Sequence, residues 1–159
     1  MRAERHVRAT VPPLEDSEES LYRRAARLLG LSTPIHSEVD LVDRLEKGLS
    51  PTVIRALRAG LGLTDEEVYA LIAPRRTLNR READGQPLSS EEGDRAVRIA
   101  RIGARAQQVF AGKPEYAQEW LRTPLRALGD RSPFQALSSE SGARAVEEIL
   151  LGIEHGFFA

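Results

Sequence analysis

Apolar positions along this 159-residue chain recur at intervals of three and four, and no segment alternates convincingly with a period of two. That spacing gathers apolar side chains on one face of a helix, so the chain reads as all-α. The first periodic stretch predicts a helix capped by Ser17 or Ser20 and running to Leu29, with Leu21, Ala25 and Leu28 inward and Gly30 at its C-terminus. A second helix starts at Ser37, has Val39, Leu41, Val42 and Leu45 as its apolar positions, and ends at Gly48. Ser50-Pro51 starts a third, because serine caps well and proline suits the first helical position. Val53, Ile54 and Leu57 point inward there, and Gly60 closes it.

The next stretch carries the chemistry. Thr64 and Glu67 form a capping-box pattern, each side chain able to satisfy the other's unpaired backbone N–H, ahead of Val68, Leu71 and Ile72 at helical spacing. Ala73-Pro74 interrupts, since the residue before proline is pushed away from helical geometry. Beyond it Arg75, Arg76, Arg80 and Arg81 surround the apolar anchor Leu78. A short acidic-headed helix, a tight turn and an arginine-rich second helix make a helix-turn-helix over residues 64–82, whose second helix can lie in the DNA major groove. The candidate DNA contacts are Arg75, Arg76, Thr77, Asn79, Arg80 and Arg81. Arginine offers bidentate donors to guanine or phosphate, Asn79 can read adenine, and Thr77 can reach a phosphate or a methyl group. Short arginine-rich helices also form ordinary solvated faces. Residue types therefore leave open a DNA-binding regulator or a protein-interaction module with a degenerate helix-turn-helix.

Downstream, Asp84-Gly85 marks a turn, and Ser89 with Glu92 forms another capping box at the head of a long helix reaching about Phe110. Its stripe of Ala96, Ile99, Gly103, Ala106 and Phe110, widened by Val97 and Ala100, predicts a helix packed on more than one side that joins the two halves of the protein. Gly112-Lys113-Pro114 breaks it, and Pro114 starts a short helix carrying Tyr116, Ala117, Trp120 and Leu121, with Trp120 read as core. Thr123-Pro124 stops that helix, and Gly129 and Ser132-Pro133 mark a loop and a new start. A last helix from about Ser139 buries Ala143, Val146, Ile149, Leu150 and Ile153 and ends at Gly156, before Phe157-Phe158-Ala159. The expected organisation is a flexible arm at 1–15, a helical domain with the helix-turn-helix at 16–88, and a C-terminal domain at 89–159.

Composition narrows the function. Apolar residues make up 41% and charged residues 30%, which fits a globular chain. Net charge is −1, so any DNA affinity must come from local clustering of charge. Arg2, Arg5 and Arg8 of the arm could reach a minor groove, or the arm has no role. There is no cysteine, which excludes disulfides and thiolate chemistry and permits a reducing compartment. No apolar run approaches the roughly 18 residues of a membrane span, and the first residues lack the apolar core of a signal peptide, so the cytoplasm is the expected location. His6 and His36 have no carboxylate or cysteine set at metal-ligand spacing. His155 beside Glu154 reads as a helix-end cap rather than an acid–base pair. With no glycine-rich phosphate loop and no serine elbow, neither enzyme activity nor a metal or other cofactor is expected.

A longer ordered series runs through the chain. It begins with Arg76-Thr77-Leu78, Arg80-Arg81, Leu88-Ser89 and Asp94-Arg95. It continues with Val109-Phe110, Trp120-Leu121, Pro124, Ala127-Leu128-Gly129 and Pro133, and closes with Glu140, Gly142-Ala143, Val146 and Ile153-Glu154-His155-Gly156. Over residues 40–159 this series resembles the Xre/MbcA/ParS-type antitoxins that pair with RES-domain toxins. Three positions depart from the pattern. Asp130 stands where the family usually has a second glycine, Leu125 where it often has asparagine, and Gly93 where it usually has serine. The resemblance implies an all-α protein in which an Xre-like helix-turn-helix domain binds and represses the operon's own promoter. A small C-terminal helical domain would neutralise a RES-domain, NAD-consuming toxin, with Ile153, Glu154, His155, Gly156, Phe157, Phe158 and Ala159 at the toxin's active-site entrance. The expected partners are that toxin, operator DNA, and a second copy in a homodimer or a hetero-oligomer with toxin. Terminal aromatics such as Phe157 and Phe158 also suit a partner's pocket, or a return onto their own bundle.

Overall fold

A computed structural model of the chain describes residues 14–111 and 113–156, with side chains from residue 21 onward. Among these residues it contains nine α-helices and one short 3₁₀ turn, with a single isolated bridge between Leu125 and Arg131 in place of any strand. The helices are α1 (Leu14–Leu28), α2 (Glu38–Glu46), α3 (Thr52–Leu61), α4 (Asp65–Leu71), α5 (Arg75–Ala83), α6 (Ser90–Val109), α7 (Pro114–Arg122), α8 (Pro133–Ala136) and α9 (Glu140–Glu154), with the 3₁₀ turn at Arg126–Leu128. Capping boxes close the starts of α2, α4, α6 and α8 through Ser37/Asp40, Thr64/Glu67, Ser89/Glu92 and Ser132/Gln135. Each satisfies two backbone donors that a helix start otherwise leaves unpaired, which is why these boundaries are so readable.

α6 is the axis of the fold. Its alanine- and glycine-rich surface packs against α1, α2, α3, α7 and α9. Ala96, Ala100, Ala104 and Ala106 are fully buried, and small residues all round the helix let neighbouring backbones approach. At Gly103 an added Cβ would sit 2.6 Å from Leu61 Cδ2, so α3 rests directly on the α6 backbone. One continuous hydrophobic cluster runs from Leu21 in α1 to Leu150 in α9 and includes residues of both halves of the chain.

Several expectations need correction. α1 begins at Leu14, before either serine taken as its cap, so the last two residues of the expected arm belong to a helix; residues 1–13 lie outside the described residues. Val39 and Val42 are exposed at 66% and 47%, leaving Leu41 buried and Leu45 half-buried as the inward side of α2. α2 meets α6 along one narrow edge, so only one of its two apolar rows finds cover. Gly60 does not close α3. It lies within the helix against the Leu28 side chain, and Gly62, at φ +64, is the left-handed cap. Tyr116 is exposed with Lys113 Nζ 5.2 Å from its ring centre, and Trp120 is only partly buried, its ring 6.0 Å from that of Phe110.

Candidate nucleic-acid interface and C-terminal partner face

The helix-turn-helix is α4, the turn at residues 72–74, and α5. α4 carries Asp65, Glu66 and Glu67 in its first turn, matching the positive end of its dipole. α5 is built the opposite way. It has no acidic residue in its first turn and no side-chain cap behind Pro74, while Arg75 and Arg76 add positive charge to the already positive helix end. A helix start whose first turn carries two arginines is a setting suited to an anion such as phosphate.

At about 100° per residue, Arg75, Asn79, Arg76 and Arg80 fall within an arc of about 140°, opposite Leu78. All four are exposed, whereas Leu78 is buried in the core. Among the described residues no side-chain hydrogen bond or ion pair closes on any of the four. Thr77 is half-buried at one edge of that arc. Arg81, about 40° beyond Thr77 on the same side and nearer Leu78, is engaged elsewhere. Its Nε lies 2.6 Å from Glu92 Oε2, its Nη2 donates to Glu92 Oε1 at 3.2 Å, and its Nη1 donates to the Pro87 carbonyl at 3.3 Å. The grouping of Arg81 with the other arginines is therefore revised: it fastens α5 to the start of α6. The reason lies in Glu92, whose place in the capping box points a buried carboxylate at the inner edge of α5. Burial pushes the Glu92 carboxyl up, but the Ser89 backbone N–H, the Arg81 guanidinium and the Ser89 hydroxyl together hold it below the usual range.

Two more arginines hold the motif: Arg95, named from the sequence only as part of the family series, and Arg122, not singled out at all. Arg95 Nη1 donates to the Ile72 carbonyl at 2.9 Å, pinning the turn to α6. Arg122, at the end of α7, grips Glu67 from the other side.

At the other end of the chain, Ile153 is half-buried on α9, and Glu154 Oε2 accepts from Arg105 Nη1 of α6 at 3.3 Å. His155 is the exposed C-cap residue, its backbone N–H donating to Leu151 and Ile153 carbonyls, and Gly156 follows at φ +73. Phe157, Phe158 and Ala159 lie outside the described residues. Within the described residues no group of three His, Cys, Asp or Glu could hold a metal ion, and no helix is long and apolar enough to cross a membrane.

Residues 40–101 match the family profile of the antitoxin Xre-like helix-turn-helix domain, and residues 105–156 match that of the antitoxin Xre/MbcA/ParS C-terminal toxin-binding domain. The chain is 33% identical over 144 residues to "Antitoxin Xre" of Pseudomonas putida, covering 91% of this chain and 89% of that one. This chain belongs to the Xre antitoxin family. A second "Antitoxin Xre", from Yersinia enterocolitica, is 33% identical over 120 residues, 75% of this chain and 81% of its own. A relative named "Prs ADP-ribosylating antitoxin", from a Sphingobium species, is 30% identical over 132 residues, 77% and 83% of the two chains. As an Xre antitoxin with both domains, the protein has a toxin and DNA as its partners in general terms.

The structure also accounts for two of the departures from the family pattern. Asp130 sits at φ +61, directly after Gly129 at φ +65, so this position favours glycine and tolerates aspartate better than most side chains. At Gly93 an added Cβ would come 3.1 Å from Leu45 Cδ2, so a serine there would need α2 to give way slightly. Nothing in the structure explains Leu125.

Proposed function

We propose that this Xre antitoxin neutralises a RES-domain toxin that consumes NAD, and represses the operon encoding the pair through the outer face of α5. Residues 16–88 carry the DNA contact and residues 89–159 the toxin contact, with the segment from Ile153 to Ala159 at the toxin's active-site entrance. The protein acts in the cytoplasm by binding rather than by catalysis, as a homodimer or a hetero-oligomer with toxin, because one helix-turn-helix covers a single half-site. The observation that carries the DNA half is the exposed arc of Arg75, Arg76, Asn79 and Arg80, flanked by Thr77, against a molecule whose net charge is −1. Four polar side chains on one helix face, without side-chain partners among the described residues, are placed as base and phosphate readers require. The toxin half rests on the match of residues 105–156 to the toxin-binding domain.

The test is to express the neighbouring reading frame alone and with this protein, following growth, cellular NAD and co-purification. Arrest with falling NAD, relieved by this protein in a stable complex, is the expected result. Arrest without loss of NAD would replace the RES toxin by another kind, and a harmless neighbour that does not co-purify would leave a stand-alone regulator. In parallel, Arg76→Ala and Arg80→Ala should each weaken binding to a duplex from the promoter region by about 1–3 kcal/mol, with thermal unfolding unchanged. Unaltered binding by both would remove α5 from the groove.

A further inference from the structure

Within the contact between the two halves of the molecule, one side chain ties the toxin-binding region to the start of the helix-turn-helix. Arg122 is the last residue of α7, inside the toxin-binding region, yet three of its four side-chain hydrogen bonds reach Glu67 of the helix-turn-helix or Gly62 just before it. Its Nε donates to Glu67 Oε1 at 3.0 Å and its Nη2 to Glu67 Oε2 at 2.8 Å, a two-point grip on the first turn of α4. The same Nη2 donates to the Gly62 carbonyl at 2.7 Å, where α3 hands over to α4, and Nη1 donates back to the Gln118 carbonyl at 3.3 Å. The guanidinium carbon lies 5.1 Å from the centre of the Phe134 ring of α8, which holds the plane from behind. Glu67 is meanwhile fixed from the other direction, because its Oε2 accepts the Thr64 N–H at 2.8 Å in the capping box. Arg122 and Glu67 are each only about one-third or one-quarter exposed, so neither is a loose surface group. Close backbone approach reinforces the junction: a Cβ on Gly62 would come 2.7 Å from Gln118 Oε1 of α7.

We propose that Arg122 is a positioning residue for DNA recognition. It fixes α4, and through the three-residue turn fixes α5, so the toxin-binding region helps to set the affinity and selectivity of the helix-turn-helix. The physical reason is that α4 is short, with Val68 and Leu71 as its buried apolar anchors, and two apolar anchors restrain rotation about the helix axis poorly. A bidentate charge-assisted pair at the first turn supplies the missing orientational constraint, since the planar guanidinium matches a carboxylate in one geometry only. Arg95 and Arg81 hold the turn and α5 from the α6 side, and Arg122 holds the opposite end. This inference rests on the proposed DNA reading by α5.

The test uses the full chain and two substitutions that reach the same contact from either side. Arg122→Met keeps an unbranched side chain against Phe134 and removes the fork. Glu67→Gln keeps the capping box, which glutamine also closes, and removes the charge. Affinity is measured on a duplex from the region upstream of the protein's own reading frame and on a scrambled duplex of equal composition. Amide hydrogen exchange is followed in the free protein. Each variant should lose about tenfold on the promoter duplex and less on the scrambled one, and the double variant should be no worse than either single one, as for residues acting through one contact. Amides of residues 65–83 should exchange faster while α1 and α6 keep their protection. Wild-type selectivity together with wild-type exchange over 65–83 would overturn the proposal. So would protection lost equally in α1 and α6, which would make Arg122 a general support of the fold. Arg76→Ala and Arg80→Ala run alongside: if they bind like wild type, DNA reading by α5 is what has failed, and exchange over 65–83 alone then decides the role of Arg122.

Discussion

Arg81→Met separates a structural arginine from its exposed neighbours. In the folded protein the Arg81 and Glu92 side chains are 19% and 9% exposed and meet at 2.6 Å. Removing one partner of a buried ion pair costs about 3–5 kcal/mol, because the remaining charge stays buried and unpaired. Glu92 keeps the Ser89 N–H at 2.9 Å, and the pair is not fully sealed from water, so the expected loss is about 2–3 kcal/mol at pH 7. The loss should depend on pH in a definite sense. With Arg81 present the folded-state pKa of Glu92 lies below its ordinary value of 4.5. The ionised carboxylate therefore contributes stability that is complete above that ordinary value and is lost as pH falls through the lower folded-state value. Without Arg81 the carboxyl loses one of the groups that hold it down against burial and protonates more easily, so the gap between variant and wild type should narrow as pH falls below 4.5. Urea unfolding at pH 7 and near pH 3.5 measures both points. A difference below about 0.5 kcal/mol at pH 7, as for an exposed pair, would refute the reasoning, as would an equal difference at both pH values. A phosphate-contacting Arg81 would behave in the opposite way, leaving stability intact and lowering the salt slope of DNA binding by about 0.9 on removal.

Three further outcomes are expected. Gly142→Ala should destabilise by about 3 kcal/mol or more in thermal or urea unfolding, because its Cβ would meet the Ala136 carbonyl oxygen, a backbone atom that cannot rotate away; a loss under about 1 kcal/mol would show that the α8–α9 corner yields easily. Ala111 sits at φ +54, so Ala111→Gly should raise stability by about 1 kcal/mol, and a lowered melting temperature would count against that strain. Deleting residues 157–159 should abolish protection against the toxin in co-expression while leaving promoter binding unchanged, and retained protection would refute the placement of the chain end at the toxin.

The helix starts were legible because capping is local chemistry. Thr64 with Glu67, and Ser89 with Glu92, need only three residues of helix to close, and both boxes form. The all-helical class and the order of elements followed from apolar spacing for the same reason, and the family could be recognised because its pattern is an ordered series along the chain. The site was less legible. Arg75, Arg76, Arg80 and Arg81 are chemically alike in the sequence, and Arg81 was set apart only by Glu92, eleven residues on, swinging under its helix edge. Val39 and Val42 have the spacing of a buried face, yet they are exposed because α6 covers only the neighbouring row. Gly60 and Gly62 both suit a helix end. Only the approach of α1, with Leu28 against Gly60, puts one inside the helix and leaves the left-handed cap to the other.

By itself, then, the sequence determined which segments are helical, where most of them start, and that one short helix concentrates groups able to read DNA. Those properties depend on residues within one or two turns of each other. Tertiary structure decided which arginines remain available and which are consumed as ties. It also decided that the first helix of the motif is gripped by Arg122, 55 residues away. An arginine's role depends on whether a carboxylate or carbonyl lies within about 3 Å of its guanidinium. Spacing along the chain fixes that distance only within a helix; between helices it is set by how they pack around α6.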